Sequence, residues 1–135
     1  MKTKMILILA SVALLTGCQQ TASTDVAKIK KGMIKVTILY PNVKGKTFDM
    51  DYYSNKHIPM IATLLGDSLK LATIDKGIAN GTPDRPVPFL AIGYFYFDKL
   101  SAFQNSFGPN AEKITRDVSN YTDIQPVIQI SEVLK

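Results

Sequence analysis

The chain has 135 residues, 46% of them hydrophobic, and a formal net charge of +5 at pH 7. This length suffices for one folded domain and not for two. The densest basic cluster, Lys28, Lys30 and Lys31, is too short to follow a phosphate backbone, which argues against nucleic acid as a partner. One cysteine and one histidine exclude an internal disulfide and argue against a zinc site, so no metal is predicted.

The first 17 residues have the pattern of a secretory signal peptide. A positive start with two lysines precedes residues 5–15, which are almost entirely apolar. This apolar run is well short of the roughly 20 residues that a transmembrane helix needs. Leu15-Thr16-Gly17-Cys18 matches a lipobox, in which the Cys18 thiol receives a diacylglycerol. The alternative is that Cys18 is an ordinary residue within a helix.

A lipidated Cys18 predicts an envelope lipoprotein, because two or more acyl chains anchor a protein stably to a membrane. Gln19 stands where an aspartate would signal retention in the inner membrane, so the outer membrane facing the periplasm is the expected location. Residues 18–32 are polar and without apolar periodicity, which indicates a flexible tether. The folded domain is expected at residues 33–135.

The first predicted elements are a strand and a helix. Alternating apolar and polar residues from Ile34 to Tyr40 predict the strand. Asp49 is the predicted N-cap of a helix that runs to about Leu65 and is closed by Gly66. Pro59 is expected to bend or break this helix, because proline lacks the backbone donor and crowds the preceding turn.

Two further strands follow. Residues 69–79 predict the second strand, and residues 80–84 form a loop. The segment from Phe89 to Phe97 has five aromatic and no charged residues, which is the strongest strand signal in the chain. Because apolar residues occupy both the odd and the even positions of this segment, it is predicted to be a central strand that is covered on both faces.

The C-terminal part predicts helices and a last strand. Asp98 is expected to cap a helix to about Phe107, with a break at Gly108-Pro109 and more helix to about Val118. Residues 124–133 predict the last strand. The order β-α-β-β-α-β predicts an α+β, ferredoxin-like fold, with a four-stranded antiparallel sheet that has its helices on one face.

The uncovered face of such a sheet would carry Tyr94 and Tyr96, or Phe95 and Phe97 in the opposite register. A bare apolar patch of that size is unfavourable in a soluble monomer. We therefore expect a homodimer in which two sheets face each other and form a dimeric α+β barrel.

His57 is the first candidate for chemistry, because histidine is the side chain whose unperturbed pKa lies near neutrality. It follows two tyrosines and precedes the helix break. The alternative is a structural histidine bound to a backbone carbonyl. The sequence has no nucleotide-binding fingerprint and no nucleophile elbow, so no cofactor is predicted.

Polar residues near the first and last strands are further candidates. Lys35 lies on the first strand, Asp117 precedes the last strand, and Gln129 lies along it. Because the first and last strands of this topology can be neighbours, these side chains are candidates for a shared cavity. The alternative is that Asp117, with Asn120, only turns the chain into the last strand.

Four stretches of the sequence carry a family resemblance: Met33-Ile-Lys-Val-Thr-Ile-Leu-Tyr-Pro41, Phe48-Asp-Met-Asp-Tyr-Tyr53 with His57-Ile-Pro59, Phe103-Gln-Asn-Ser-Phe-Gly-Pro109, and Asn120-Tyr-Thr-Asp-Ile-Gln-Pro-Val-Ile-Gln-Ile-Ser131. They resemble the EthD family of dimeric α+β-barrel proteins. The stretch Tyr-Tyr-x-x-x-His-x-Pro is the most specific part of the resemblance.

This resemblance implies a ferredoxin-like fold, a dimer and a small cavity between the sheet and the helices. Members are linked to the degradation of ethyl tert-butyl ether, some fungal relatives are decarboxylases or dehydratases of polyketides, and bacterial members often carry a reductase label. The histidine of the family motif falls on His57, and its tyrosines fall on Tyr52 and Tyr53. The lipobox is a departure from the family, whose members are mostly cytoplasmic. It argues against a role coupled to cytoplasmic redox partners, because the periplasm supplies neither NAD(P)H nor ATP.

Two functional hypotheses follow. In the first, the domain is a cofactor-independent enzyme, such as a lyase, isomerase or oxygenase, for a small hydrophobic carbonyl or phenolic compound. The catalytic candidates are His57 as acid or base and Tyr53, and the substrate-binding candidates are Tyr52, Lys35, Tyr94, Tyr96, Asp117 and Gln129. In the second, the domain binds small hydrophobic molecules without catalysis, or is a structural envelope lipoprotein.

Overall fold

The computed structural model describes residues 28–135 of the chain. The predicted signal peptide, the lipobox with Cys18 and the tether as far as residue 27 lie outside the described residues. The first strand follows Met33, which is buried and whose carbonyl accepts a hydrogen bond from the Val133 N–H at 2.8 Å. No helix between residues 28 and 135 has the length and apolar character of a membrane span.

The strands and helices follow the predicted order β-α-β-β-α-β along the chain. The strands are β1 (Ile34–Pro41), β2 (Leu71–Lys76), β3 (Phe89–Phe97) and β4 (Val127–Glu132). The helices are α1 (Met50–Tyr52), α2 (Ile58–Leu65), α3 (Leu100–Phe107) and α4 (Ala111–Asp117). The strands form one sheet in the order β2-β3-β1-β4, and all neighbours are antiparallel. The predicted α+β, ferredoxin-like fold is confirmed.

The central strand β3 has the predicted bounds, whereas β2 and β4 are shorter than predicted. Strand β4 begins three residues later than expected, at Val127. Pro126 has no N–H to donate to a β ladder. Ile124, only 2% exposed, packs into the core instead of extending the sheet.

Of the two predicted N-caps, one is confirmed by the structure and the other is not. The Asp49 carboxylate accepts a hydrogen bond from the Tyr52 N–H at 2.9 Å, which confirms the predicted N-cap. The prediction that Asp98 caps α3 is wrong. Lys99 occupies the N-cap position without a side-chain cap, and the Asp98 carboxylate lies 3.4 Å from the Lys70 ammonium instead. The Asp98 carboxylate is thus paired with the Lys70 ammonium and not with a backbone N–H of the first turn of α3.

Pro59 does not end the helix in which it lies. The chain instead widens into a π-helical turn over Tyr53–His57 and continues as α2 until Gly66, whose φ of +52° ends it. A wider turn relieves the crowding that proline causes and absorbs its missing N–H. Such turns are frequent at functional sites. This one carries both Tyr53 and His57.

The helices cover one face of the sheet, where the core has two parts. One part is aliphatic and phenyl, with the buried residues Val36, Ile61, Leu65, Phe95, Phe97 and Ile114. The other part is rich in tyrosine, with the buried residues Tyr40, Tyr53, Ala91, Tyr121 and Ile124. The second part packs around the π-helical turn.

The opposite face of the sheet has no helix over it within residues 28–135. Directly paired residues in an antiparallel sheet share a face. Phe95 pairs with the buried Val36, so Phe95 and Phe97 face the helices, and Tyr94 and Tyr96 face the open side. The structure thus decides between the two registers that the sequence left open, and the sheet of a single chain is open.

Candidate functional site

The most connected polar group in the core is a hydrogen-bonded pair between two helical elements. Nδ1 of His57, in the π-helical turn, lies 2.7 Å from Oδ2 of Asp117, the last residue of α4. His57 is 3% exposed, and the Asp117 side chain is 16% exposed. The pair therefore joins two elements that are 60 residues apart in the sequence. Asp117 is more than a turn residue.

The partner of His57 determines which ring nitrogen carries the proton. An ionised carboxylate can only accept hydrogen bonds, so Nδ1 must donate. In the neutral imidazole Nε2 then holds the free lone pair. Within residues 28–135, Nε2 makes no hydrogen bond and is not among the fully buried polar atoms that lack a partner. The small exposure of His57 therefore includes the basic nitrogen.

The two pKa shifts both favour this protonation state. Burial lowers the pKa of His57 below its ordinary value of 6.5, and the hydrogen bond and charge of Asp117 only partly oppose it. Burial raises the pKa of Asp117, but hydrogen bonds from His57, Asn120 and Tyr52 outweigh it and hold the pKa below 3.8. At neutral pH the pair is therefore a neutral imidazole beside a carboxylate.

The Asp117 carboxylate is itself held in place from its other side. Its Oδ1 accepts hydrogen bonds from the Tyr52 hydroxyl at 3.0 Å and from the Asn120 amide at 2.8 Å. The same Asn120 amide lies 3.2 Å from the Tyr52 hydroxyl. With these donors in place the carboxylate cannot rotate freely, so it fixes the orientation of His57.

Aromatic rings enclose the histidine. The Tyr121 ring lies 4.6 Å from the imidazole, and the Tyr53 ring stacks on it at 5.8 Å, measured between centroids. The Tyr40 and Tyr121 hydroxyls are hydrogen-bonded to each other at 2.6 Å. The Tyr53 and Tyr121 rings keep water away from the imidazole and contribute to its burial.

The Tyr53 hydroxyl has a different environment from its neighbours. Tyr53 is 1% exposed, and its Oη has no hydrogen-bond partner among residues 28–135. An unpartnered buried hydroxyl costs about 1–3 kcal/mol. Burial also raises the pKa of Tyr53 far above its ordinary value, so its hydroxyl keeps its proton.

An apolar cavity of about 250 Å³ lies between the sheet and the helices. Ile61, one helical turn after His57, and Ile114, one turn before Asp117, both line it, so it begins one turn away from the pair. His57 itself is not a lining residue. The cavity is lined by Val36, Ile38, Ile61, Leu65, Phe95, Phe97, Phe103, Phe107, Ile114 and Ile128.

The structure separates the predicted site residues into two groups. His57, Tyr52, Tyr53 and Asp117 lie together on the helix side of the sheet. The other four candidates lie on the open side, where Lys35 pairs with Tyr96 across the strands and its ammonium lies over the Tyr94 ring. These four are Lys35, Tyr94, Tyr96 and Gln129, and a ligand contact by them stays a prediction. Among residues 28–135, no three acidic or histidine side chains converge as metal ligands would.

Sequence reasoning placed Tyr121 with Asp117 and Asn120 near the last strand, but it missed two contributors to this site. Tyr40 holds the Tyr121 hydroxyl, and nothing in its spacing distinguishes it from an ordinary core residue. Gly93 is the second, because it lies beneath the Tyr53 hydroxyl. A glycine within a strand of large residues signals the close approach of another group, and this signal is present in the sequence.

The fold and the site together define an α+β domain with a ferredoxin-like sheet and a buried histidine–carboxylate pair. The family model for the EthD domain matches residues 45–125, and the chain belongs to the EthD family.

Solved structures that are similar to the chain include two proteins of the EthD family. An EthD-like protein of Ralstonia eutropha shares 39% sequence identity with a TM-score of 0.74, over 78% of this chain and 96% of that chain. An EthD family protein of Bacillus halodurans, named for ethyl tert-butyl ether, shares 18% identity with a TM-score of 0.59, over 76% and 99%. The second likeness shows the fold alone. No curated protein matches the chain.

The state of His57 can be tested directly, because its NMR signal is the only one from a histidine in an untagged chain. We expect a pKa below 6.5, and a still lower pKa in Asp117→Asn, which loses the charge that favours imidazolium. Because the folded-state pKa is depressed, the stability that neutral His57 contributes is present above pH 6.5 and is lost as the pH falls through the folded-state pKa. A pKa at or above 6.5, or a rise in Asp117→Asn, contradicts this description.

Proposed function

We propose that this EthD domain is a cofactor-independent enzyme that acts on a small hydrophobic carbonyl or phenolic compound, with His57 as the general acid and base. The observation that supports it is the buried hydrogen bond between His57 and Asp117. It leaves a neutral imidazole with its basic nitrogen free and its orientation held. A histidine oriented by a carboxylate is a recurring unit of acid–base catalysis.

For a ketone, the chemistry available to this pair is proton transfer next to the carbonyl. Nε2 of His57 takes a proton from the α-carbon. The electrons of that C–H bond form a C=C bond to the carbonyl carbon, and the π electrons of the C=O bond move to the oxygen to give an enolate. The Asp117 carboxylate stabilises the imidazolium that results. The imidazolium then returns a proton to carbon or to oxygen, so no oxidant, reductant or metal is consumed. A positioned acid–base group contributes about 10²–10⁴-fold in rate.

The apolar cavity is the proposed site of the hydrophobic part of the substrate. Its volume suits a small molecule, and the end formed by Ile61 and Ile114 lies one helical turn from the catalytic pair. Apolar walls favour a hydrophobic compound, because each buried CH₂ group contributes about 0.8 kcal/mol.

The second candidate function is binding without catalysis, or a structural role in the envelope. The observation that favours it is the cavity lining, which is entirely aliphatic and phenyl. Such walls hold a ligand but supply no acid, base or charge. Catalysis requires in addition that the ligand reaches the His57 nitrogen.

We also propose that the chain is a homodimer that buries the open face of its sheet. This face carries large apolar and aromatic side chains on all four strands, namely Leu39, Leu71, Ile92, Tyr94, Tyr96 and Val127. Val127 is 55% exposed in the single chain. A second copy of the same face is self-complementary and would remove this surface from water.

The location of the protein in the cell is likewise a proposal. The lipobox supports an acylated Cys18, and Gln19 supports the outer membrane. In that position the domain would face the periplasm and meet compounds that diffuse into the cell envelope.

The catalytic proposal is tested by following α-proton exchange of small aryl ketones, such as acetophenone, in D₂O by NMR. We expect the full-length chain to accelerate the exchange, and His57→Gln to lose at least 10²-fold of that acceleration because it removes the base. Lys56→Gln is the matched control, since Lys56 is exposed and adjacent in the sequence. Acceleration that survives in His57→Gln contradicts the assigned role, and binding without exchange favours the second candidate function.

The dimer is tested by sedimentation of the full-length chain. Ile92→Lys places a charge at the centre of the open face, so we expect it to give monomers at micromolar concentration. Ile78→Lys is the matched control, because Ile78 is 90% exposed and lies outside the sheet, and it should stay dimeric. A wild-type chain that sediments as a monomer contradicts the proposal.

The lipid anchor is tested by fractionation of bacterial cells that express the chain. We expect the wild-type chain in the outer-membrane fraction, and Cys18→Ala outside it, because the acylated thiol is lost. The same distribution for both proteins is the result that excludes an anchor at Cys18.

A further inference from the structure

One end of the sheet is the place where the chain enters the folded domain. The Gly32 N–H donates to the Val133 carbonyl, and the Val133 N–H donates to the Met33 carbonyl, each at 2.8 Å. The Met33 N–H also donates to the Lys30 carbonyl at 3.2 Å, which holds the segment before β1 in a turn. Residues 28–32 are therefore attached to the domain beside the end of β4.

The pairing of the strands brings further residues to this end. Ile34, at the start of β1, pairs with Phe97 at the end of β3 and with Glu132 at the end of β4. β2 also begins here, since the Lys70 N–H donates to the Tyr96 carbonyl at 2.8 Å. We call this side of the domain the tether end, and it comprises residues 28–33, 67–70, 98–100 and 132–134.

Three large aliphatic side chains are exposed at the tether end. Leu134 is 68% exposed, Ile29 is 48% exposed and Leu100 is 42% exposed. Ile29 lies between Lys28 and Lys30 in the sequence, and Leu100 directly follows a lysine. Aliphatic side chains among lysines suit a membrane interface, because the apolar groups enter the headgroup region while the ammonium groups stay at the lipid phosphates.

Lysines outnumber acidic residues at the tether end. Its charged residues are the five lysines Lys28, Lys30, Lys31, Lys70 and Lys99 and the three acids Asp67, Asp98 and Glu132. The Asp98 carboxylate is already paired with the Lys70 ammonium at 3.4 Å. The three lysines that precede β1 are exposed and form no ion pair with residues 28–135. The charge that is left is positive, as binding to an anionic lipid surface requires.

The predicted lipid anchor lies close to this surface along the chain. Cys18 precedes Lys28 by ten residues, and ten residues span at most about 36 Å even when fully extended. The nine residues of β3 are about 30 Å long, so the opposite end of the sheet is about that much further from the point of attachment. An acylated Cys18 therefore keeps the tether end close to the membrane that holds it.

We infer that the tether end is a second membrane contact, which docks on anionic phospholipid with its lysines at the headgroup phosphates and Ile29, Leu100 and Leu134 in the interface. This inference rests on the proposed lipid anchor at Cys18. It gives the anchored domain an orientation, with the strands directed away from the membrane. The open face of the sheet lies to the side and stays available to a second chain.

The opposite end of the sheet provides control positions in the same chain. Val43 and Ile78 are exposed there, and the Lys46 ammonium is paired with the Asp123 carboxylate at 3.2 Å. These residues have a similar chemical character, but they lie at the far end of the strands from the point where the chain enters.

The test measures which end of the acylated protein touches lipid. The only cysteine of the chain carries the acyl groups, so a cysteine placed elsewhere is the single free thiol. An environment-sensitive fluorophore is attached in Leu134→Cys and, as the matched control, in Ile78→Cys. Each acylated protein is reconstituted in vesicles of phosphatidylcholine with phosphatidylglycerol. We expect nitroxide groups on the lipid chains to quench the label at position 134, and iodide in the water to quench the label at position 78.

The contribution of charge is measured with further substitutions in Leu134→Cys. Lys30→Gln combined with Lys31→Gln should lower the ratio of docked to undocked domain by about fivefold for each lysine. Omitting phosphatidylglycerol should lower this ratio as well. Lys44→Gln combined with Lys76→Gln changes the opposite end and should leave it unchanged. All four lysines are exposed, so each variant should unfold at the temperature of the wild type.

Each outcome bears on a different part of the inference. A label at position 134 that only iodide quenches overturns the tether end as a membrane contact, while flotation of the protein with the vesicles retains the anchor. Quenching of both labels by the lipid nitroxides overturns the orientation. Docking that depends neither on Lys30 and Lys31 nor on phosphatidylglycerol overturns the recognition of anionic lipid. A Cys18 that carries no acyl group in the mass spectrum overturns the anchor and the membrane contact together.

Discussion

The central strand β3 carries large side chains on both of its faces, and the rest of the domain is arranged around that property. On one face Phe95 and Phe97 pack beneath the helices and form the wall of the apolar cavity. On the other face Tyr94 and Tyr96 lie on the open side of the sheet, where a second chain is the simplest cover. On the same face as the two phenylalanines, but nearer the N-terminal end of β3, the strand carries the small residues Ala91 and Gly93. The tyrosine cluster occupies the volume that they leave.

The hydrogen bond between His57 and Asp117 connects this packing with chemistry. It ties the π-helical turn to the end of α4, and both elements lie on the covered side of the sheet. The surrounding rings exclude water, which keeps the imidazole neutral, while Tyr52 and Asn120 keep the carboxylate charged. Burial favours the neutral form of both groups, so it lowers the pKa of His57 and raises the pKa of Asp117. The hydrogen bonds to Asp117 outweigh its burial and keep this carboxylate ionised. The result is an imidazole that is oriented and neutral at pH 7.

Local sequence signals predicted elements well where one neighbour determined the outcome. Asp49 caps α1 because the first-turn N–H groups are within reach of its carboxylate, and Gly66 ends α2 through its positive φ. The signals failed where a distant group competed. Asp98 is a good cap by type, but Lys70 from the adjacent segment attracts its carboxylate. Pro59 was expected to bend or break its helix, and the helix widens into a π-helical turn directly before it.

The sequence by itself determined the order of the elements, the placement of His57 and its two tyrosines in one helical segment, and the presence of a strand with large side chains on both of its faces. These are properties of near neighbours, and hydrophobic periodicity or a motif reports them. Only the tertiary structure decided which face of β3 meets the helices, because an alternating pattern is the same from either side. It alone paired Asp117 with His57 and placed the Tyr53 hydroxyl over Gly93, since contacts between distant residues depend on how the helices pack on the sheet.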